Sequence, residues 1–157
     1  MVIEISESGL NAIRQREELR LKAYKCQAGV WTIGWGHTKG VTAGMVITEE
    51  QAHAFLVADI QPIEQYLSRE SYCGLKQNQY DALASLIFTI GTAKYSRSTL
   101  RRLLKAGAPA KDCAMQFLKW KYYTDSTTGE KKISQGLAIR RQSEYRQYLG
   151  VNNGDYT

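Results

Sequence analysis

The chain of 157 residues carries a formal net charge of +6, with 43% hydrophobic and 23% charged residues. A chain of this length can bury one core without cross-links, and this balanced composition excludes a disordered protein. The positive charge favours a polyanionic partner, a class that includes nucleic acids, anionic membranes and anionic cell-wall polymers.

The first half of the chain predicts a helix, a hairpin and a second helix. Ser6 or Ser8 is a suitable N-cap for a helix over about residues 7–18. The stretch AYKCQAGVWTIGWG alternates β-branched and aromatic residues with small polar ones, which predicts a β-hairpin. Thr48 and the three residues after it fit a capping box, so a helix is expected from there to about residue 67, with Pro62 able to kink or shorten it.

The second half predicts helices only. Residues 77–90 repeat apolar side chains at helical spacing, which indicates a buried central helix closed by Gly91. Two helices are expected near 97–106 and 109–121, then a polar surface loop to about residue 132 and a last helix from Ser134 to about residue 149.

These elements predict an α+β fold, mainly α, in a single domain over residues 1–157. A small N-terminal lobe with the hairpin, about 1–60, would be joined by a long helix to a helical C-terminal lobe, about 68–150. A ligand site is expected in the cleft between the two lobes.

The cysteines and the N-terminus limit the expected cofactor chemistry and the expected cellular compartment. Cys26, Cys73 and Cys113 are odd in number and widely spaced, which argues against a disulfide framework, and no metal or other cofactor is predicted. The simplest expectation is a chain with reduced thiols, made in a cytoplasm. The N-terminal stretch MVIEISESGLNAIRQRE has no long apolar run, so neither a signal peptide nor a membrane anchor is expected.

Three residues near the hairpin can support acid–base chemistry. Glu17 is predicted at a helix end beside Leu19 and Leu21, where apolar neighbours would raise its pKa and let it donate a proton. Cys26 and Thr32 would stand on the two arms of the hairpin and could hold a water molecule opposite this acid, a layout that hydrolyses glycosidic bonds. Taken singly, Glu17 is more typical of a surface charge, Cys26 of an inert thiol and Thr32 of a strand former, and none of the three alone indicates a function.

The segment EELRLKAYKCQAGVWTIGWGHT resembles the N-terminal lobe of bacteriophage lysozymes, the endolysins of glycoside hydrolase family 24. Their pattern is a Glu, eight residues, an Asp or Cys, five residues and a Thr, which Glu17, Cys26 and Thr32 match. The resemblance continues at GMVITEEQA, NQYDALASLIFTIG, STLRRLL and GLAIRRQSEYRQYL. It implies a lysozyme-like fold and hydrolysis of the β-1,4 bond between N-acetylmuramic acid and N-acetylglucosamine in bacterial peptidoglycan, which lyses the host cell.

The resemblance also implies roles for the three residues. Glu17 would be the general acid and Thr32 would help to place the attacking water. Cys26 stands where most members carry Asp, and a thiol of pKa about 8.5 is mostly neutral unless its environment lowers that value. Our hypothesis is that Cys26 acts as a partly ionised base, and the sequence leaves inversion and retention of configuration both open.

Six further residues are predicted to contact the substrate by stacking on sugars, lining the cleft or binding the peptide stem: Trp31, His37, Phe88, Thr99, Arg140 and Arg141. Each has a structural alternative. The aromatic residues could pack in the core, the histidine could hold its loop by a hydrogen bond, and the arginines could lie on a solvated helix face.

The expected partner is bacterial peptidoglycan, and the expected state is a monomer without stable membrane insertion. The protein would be made in the host cytoplasm and released to the periplasm and cell wall at lysis, through a holin-type membrane hole. Three alternatives remain: a lytic transglycosylase, a wall-binding module of the same fold with impaired catalysis, and a nucleic-acid binder. No nucleic-acid motif is recognised in the sequence, so nucleic acid is not an expected partner.

Overall fold

The computed structural model describes residues 3–151, and its first helix ends where the candidate acid begins. Helix α1 spans Glu7–Arg16, and its N-cap Ser6 accepts a hydrogen bond at Oγ from the Gly9 amide at 3.0 Å. Glu17 is the C-cap, and its amide donates to the Ile13 carbonyl at 2.8 Å. The predicted helix is confirmed with an end two residues earlier, and its last hydrogen bond fixes the backbone of Glu17.

The predicted hairpin follows directly. Strands β1 (Arg20–Lys25) and β2 (Trp31–Gly34) are antiparallel, and Tyr24 pairs with Thr32. Cys26 continues the ladder past β1, because its amide donates to the carbonyl across the turn at 3.0 Å. Side chains alternate between the faces of a strand, so Cys26 shares a face with Tyr24 and Thr32.

Helix α2 (Glu49–Glu70) starts at the predicted capping box. The Thr48 amide donates to Gln51 Oε1 at 2.9 Å, and the Gln51 amide donates to Thr48 Oγ1 at 3.2 Å. The helix runs three residues past its predicted end and includes Pro62. Buried apolar residues on both sides of the proline hold the helix on the core, and these are Leu56, Ile60, Ile63 and Leu67.

Helix α3 (Gln77–Ile90) is the buried central helix that the sequence predicts, and Gly91 ends it with φ 85°. Helix α1 crosses α3 in close contact, since a Cβ at Gly9 would lie 2.6 Å from Asp81 Cγ. The absence of a side chain at Gly9 therefore sets the distance at which α1, and the Glu17 that follows it, lie against the core.

The second half contains two elements that the sequence analysis missed. A short helix precedes the two that were predicted, and a second hairpin replaces the predicted loop. In chain order the elements are α4 (Thr92–Ser96), α5 (Thr99–Lys105), α6 (Ala110–Phe117), β3 (Tyr122–Thr124), β4 (Lys131–Ile133) and α7 (Gln135–Leu149). The second hairpin lacks the alternation of buried and exposed residues that identifies a strand, because its strand residues are mostly exposed.

Helix α7 completes the core by packing along α3, and Arg16 at the end of α1 donates from Nε to Ser143 Oγ on α7 at 3.1 Å. Its N-cap Ser134 accepts at Oγ from the Leu137 amide at 3.2 Å, as the sequence predicts. The described residues thus form a mainly α structure with two small antiparallel sheets, which confirms the α+β prediction. Between residues 3 and 151, no helix has the length and apolarity needed to cross a membrane.

Candidate active site

The Glu17 carboxyl lies where four parts of the fold converge. Its side chain is 23% exposed, and its Oε1 accepts a hydrogen bond from Nη1 of Arg140 on α7. A Cβ at Gly36, which has φ +78° in the turn after β2, would lie 3.5 Å from Glu17 Oε2 and 3.6 Å from the ring of Phe88 on α3. The glycine thus leaves space free between the carboxylate and the aromatic ring.

This environment corrects one expectation. The sequence placed Leu19 and Leu21 beside the Glu17 carboxyl, but its polar partner is a guanidinium from 123 residues further along the chain. Leu19 packs against the core instead, and Leu21 is 39% exposed. A contact of such long range has no signal in the local sequence.

The Cys26 thiol has a lowered pKa. Burial alone would raise this pKa, but hydrogen bonds from the backbone at Val30 and Ala28 and from the Thr32 side chain outweigh it. Thr32 is itself buried, and its hydroxyl donates to the Val30 carbonyl at 3.0 Å. Hydrogen bonds to the thiolate favour the charged form, so more of Cys26 is ionised at neutral pH than of an ordinary thiol.

Tyr24 connects the acid to the thiol. Its pKa is raised, first by burial and then by the negative charge of Glu17, and Cys26 acts in the same direction. The phenol therefore lies within electrostatic reach of both groups. The signal in the sequence for Tyr24 is its position two residues before Cys26, which places it on the same hairpin face.

Two predicted substrate contacts lie apart from Glu17. Trp31 pairs with Lys25 across the hairpin, and the Lys25 ammonium lies 5.4 Å from its ring centroid. Trp31 precedes Thr32 in the strand, so it faces the opposite side from Thr32, and its stacking on a sugar ring stays a prediction. Thr99 is exposed at the start of α5, where its hydroxyl accepts from Arg102 at 3.0 Å, and its contact with substrate stays a prediction.

His37 is held inside the fold. Its Nδ1 lies 2.8 Å from an Asp59 carboxylate oxygen, and its ring stacks on Phe55 with centroids 4.1 Å apart. Its backbone also exchanges two hydrogen bonds with Ile33. Because the ring is buried between these partners, the structure supports the loop-holding alternative, and a contact of His37 with substrate stays a prediction.

Arg140 and Arg141 are buried, which corrects the alternative of a solvated helix face, while their contact with the substrate stays a prediction. Arg141 is 1% exposed, its Nε lies 2.5 Å from Glu144 Oε1, and burial lowers the pKa of its guanidinium. Arg140 contacts the site from inside the fold, through its hydrogen bond to Glu17. Glu144 was not predicted as a site residue, although its spacing of four and three residues from the two arginines indicates helical ion pairs.

A depression of about 660 Å³ lies away from Glu17, and its lining residues are Arg14, Trp35, Glu49, Glu50 and His53. Its arginine is already paired, because Arg14 Nη2 lies 2.6 Å from His53 Nδ1 and the guanidinium stands over the Trp35 ring. Among the residues that the structure describes, no three His, Cys, Asp or Glu side chains gather as metal ligands.

Known proteins resemble the chain over most of its length. The Phage lysozyme family matches residues 14–144. The endolysin of Acyrthosiphon pisum secondary endosymbiont phage 1 is 44% identical over 142 residues, which cover 90% of this chain and 95% of the relative. The solved structure of an endolysin from Escherichia coli O157:H7 phage FAHEc1 is similar with a TM-score of 0.84 and 35% identity, over 94% of each chain. The muramidase domain of SpmX from Asticaccaulis excentricus also has a TM-score of 0.84, at 32% identity over 93% of this chain and 97% of that domain.

The fold and these similarities define a glycoside hydrolase with a lysozyme-like architecture, which confirms the predicted fold class. The chain belongs to the phage lysozyme family. It is an endolysin-type muramidase, an enzyme that hydrolyses peptidoglycan.

Proposed function

We propose that Glu17, Cys26 and Thr32 carry out the hydrolysis of the β-1,4 bond between N-acetylmuramic acid and N-acetylglucosamine. The observation that carries this proposal is the thiol of lowered pKa beside Thr32, on the hairpin face where Tyr24 also senses the charge of Glu17. An acid and a base that act on one sugar ring must lie close together, and the effect of both Glu17 and Cys26 on the pKa of Tyr24 supports this.

The reaction divides between the three side chains. Glu17 gives its proton to the glycosidic oxygen as the bond to the anomeric carbon breaks. A water molecule forms the new bond to that carbon and loses a proton to the Cys26 thiolate, while the Thr32 hydroxyl orients it. One water is consumed and two sugar hydroxyls form. Configuration stays open, because a thiolate can also attack the anomeric carbon directly.

The rate of lysis, measured as a function of pH for variants at Cys26, tests the role of this residue. We expect Cys26→Ala to clear permeabilised bacteria about 100-fold more slowly, the range typical of a lost general base. Cys26→Asp should stay active with its whole pH profile moved to lower pH. The reason is that the pKa of an aspartate, about 3.9, lies about five units below that of an ordinary thiol. Cys73→Ala removes an exposed thiol elsewhere and should behave like the wild type. Full activity of Cys26→Ala would contradict the role proposed here.

The products distinguish hydrolysis from transglycosylation. Hydrolysis adds water and leaves reducing ends, whereas a lytic transglycosylase closes an anhydro ring without water. A base beside a hydroxyl that can orient water favours hydrolysis. Mass spectrometry of digested peptidoglycan should therefore show fragments heavier by one water than anhydro products, and a majority of anhydro ends would refute the proposal.

We also propose that the enzyme works as a monomer, as one domain over residues 1–157, and reaches the wall only at lysis. Another protein, of the holin type, would open the membrane. Cells that express the enzyme alone should stay intact until their inner membrane is permeabilised chemically. Lysis without such treatment would show another route to the wall, and sedimentation would test the monomer.

A further inference from the structure

A fully buried carboxylate lies behind the candidate acid. Glu144 on α7 is 0% exposed, and its Oε2 lies 3.5 Å from the Nε of Arg140. The same guanidinium donates from Nη1 to Glu17 Oε1. One cation thus bridges two carboxylates, of which one is enclosed and the other is partly exposed in the site.

Three helices fix the position of Glu144. Its Oε2 accepts a hydrogen bond from Ser85 Oγ on α3, and its Oε1 lies 2.5 Å from the Nε of Arg141. Ser85 Oγ in turn accepts from Nη1 of Arg16 at 3.1 Å, and Arg16 is the last residue of α1, directly before Glu17. The position of the bridge is therefore set by the fold and does not depend on a bound substrate.

Titratable groups near Glu17 come from α7 and from the hairpin, which also carries the Cys26 thiol. Arg140 and Arg141 on α7 are cationic, and Tyr24 on β1 is a neutral phenol with a raised pKa. Helix α3 presents the uncharged Phe88. Without a second anion, both buried guanidinium groups would act on one partly exposed carboxylate, and nearby cations favour the ionised form of a carboxylate. An ionised Glu17 has no proton to donate.

We propose that Glu144 is a positioning residue for catalysis: it holds the Arg140 guanidinium between two carboxylates and takes up part of its charge, so that Glu17 can carry the proton it donates. This inference rests on the proposed function, because it assumes that Glu17 is the general acid. Glu144 does not touch the substrate, and it acts only through Arg140.

The test replaces Glu144 with glutamine, which keeps the shape and an acceptor for Ser85 but removes the charge. We expect kcat on soluble peptidoglycan fragments to fall about tenfold at pH 7 with KM unchanged, a part of the rate that a general acid supplies. The deficit should shrink as the pH is lowered, because solvent protons then supply the acid form. A purely structural defect would instead grow as acid weakens the fold.

Glu70→Gln is the matched control, since Glu70 is a buried carboxylate paired with an arginine, Arg101, elsewhere in the molecule. It should keep kcat at every pH at which the variant is folded. If Glu144→Gln does not fold, Ser85→Ala takes its place: it removes the hydroxyl that donates to Glu144 and accepts from Arg16, and it should lower kcat about threefold with the same pH trend.

A folded Glu144→Gln with wild-type kcat, or with a deficit that is constant or grows toward low pH, would overturn the inference. Equal loss of kcat in Glu70→Gln would do the same. Glu17→Gln, assayed in parallel, separates the two claims. If Glu17→Gln is active, the proposed function fails, whereas an inactive Glu17→Gln beside a fully active Glu144→Gln overturns only the role of Glu144.

Discussion

Two carboxylate–arginine clusters in this protein contain the same residue types but have different roles. Glu70, at the end of α2, accepts hydrogen bonds from Arg101 Nε at 2.7 Å and Nη2 at 3.2 Å, and from the Tyr72 hydroxyl at 2.7 Å. The Tyr72 hydroxyl also meets that of Tyr95 at 2.6 Å. Glu70 is 8% exposed, and partners meet both of its oxygens.

Among the contacts described for residues 3–151, Glu17 has a polar partner at one oxygen. Arg140 meets its Oε1, while Oε2 faces the space kept free by Gly36. A carboxylate that partners enclose contributes to stability but cannot exchange its proton with a ligand. A carboxylate with one oxygen accessible can do so, and it stabilises the fold less. The number of enclosing partners thus separates a structural ion pair from a catalytic one.

The largest effect on stability should come from the enclosed cluster. Glu70→Gln removes the charge that pairs with Arg101, and we expect a loss of about 2 kcal/mol in the free energy of unfolding, below the range for fully buried pairs because Arg101 and Lys105 are partly solvated. Lysis at 25 °C should remain at the wild-type rate. Urea unfolding measures the free energy of unfolding. An unchanged value in Glu70→Gln would show that the enclosed ion pair does not stabilise the fold.

The pH dependence of stability should follow the same residue. Arg101 and Tyr72 outweigh the effect of burial, so the pKa of Glu70 is lowered. Its contribution is therefore complete above the pKa of an unfolded glutamate, about 4.3, and is lost as the pH falls through the lower folded value. Urea titrations of wild type and Glu70→Gln should show a gap that narrows below about pH 4. A gap that widens in acid would contradict the assignment.

The smallest effect should come from the edge of that cluster. Because Tyr72 donates its only hydroxyl proton to Glu70, Tyr95 must donate to Tyr72. Tyr95→Phe removes this bond and should cost about 1 kcal/mol. Tyr122→Phe, on an exposed tyrosine of β3, is the control and should be neutral. Equal unfolding free energies for the two variants would show that the Tyr95 hydroxyl does not contribute to the stability of the cluster.

Local patterns predicted the elements that carry the site. The Thr48 capping box and the apolar spacing of 77–90 act within a few residues, so α2 and α3 could be predicted. The hairpin with Cys26 and Thr32 was predicted for the same reason. Helix α4 was missed because it has only five residues, and the second hairpin because its strands are mostly exposed.

The partners of the site residues could not be predicted in this way. The contact of Arg140 with Glu17 and that of Ser85 with Glu144 join residues far apart in the chain, and charged side chains on a helix are usually solvated. The sequence therefore indicated Glu17 through its resemblance to a family, while its electrostatic surroundings became visible only in the folded structure.

The most direct measurement is the release of reducing ends from purified peptidoglycan by Glu17→Gln and Glu18→Gln. The two carboxylates are adjacent, but Glu18 is exposed and pairs only with Arg20 at 3.3 Å among the contacts described, so it is the matched control. We expect Glu17→Gln to lose about 1000-fold in rate, as for a lost general acid, and Glu18→Gln to keep the wild-type rate. Equal rates for the two variants would contradict the account.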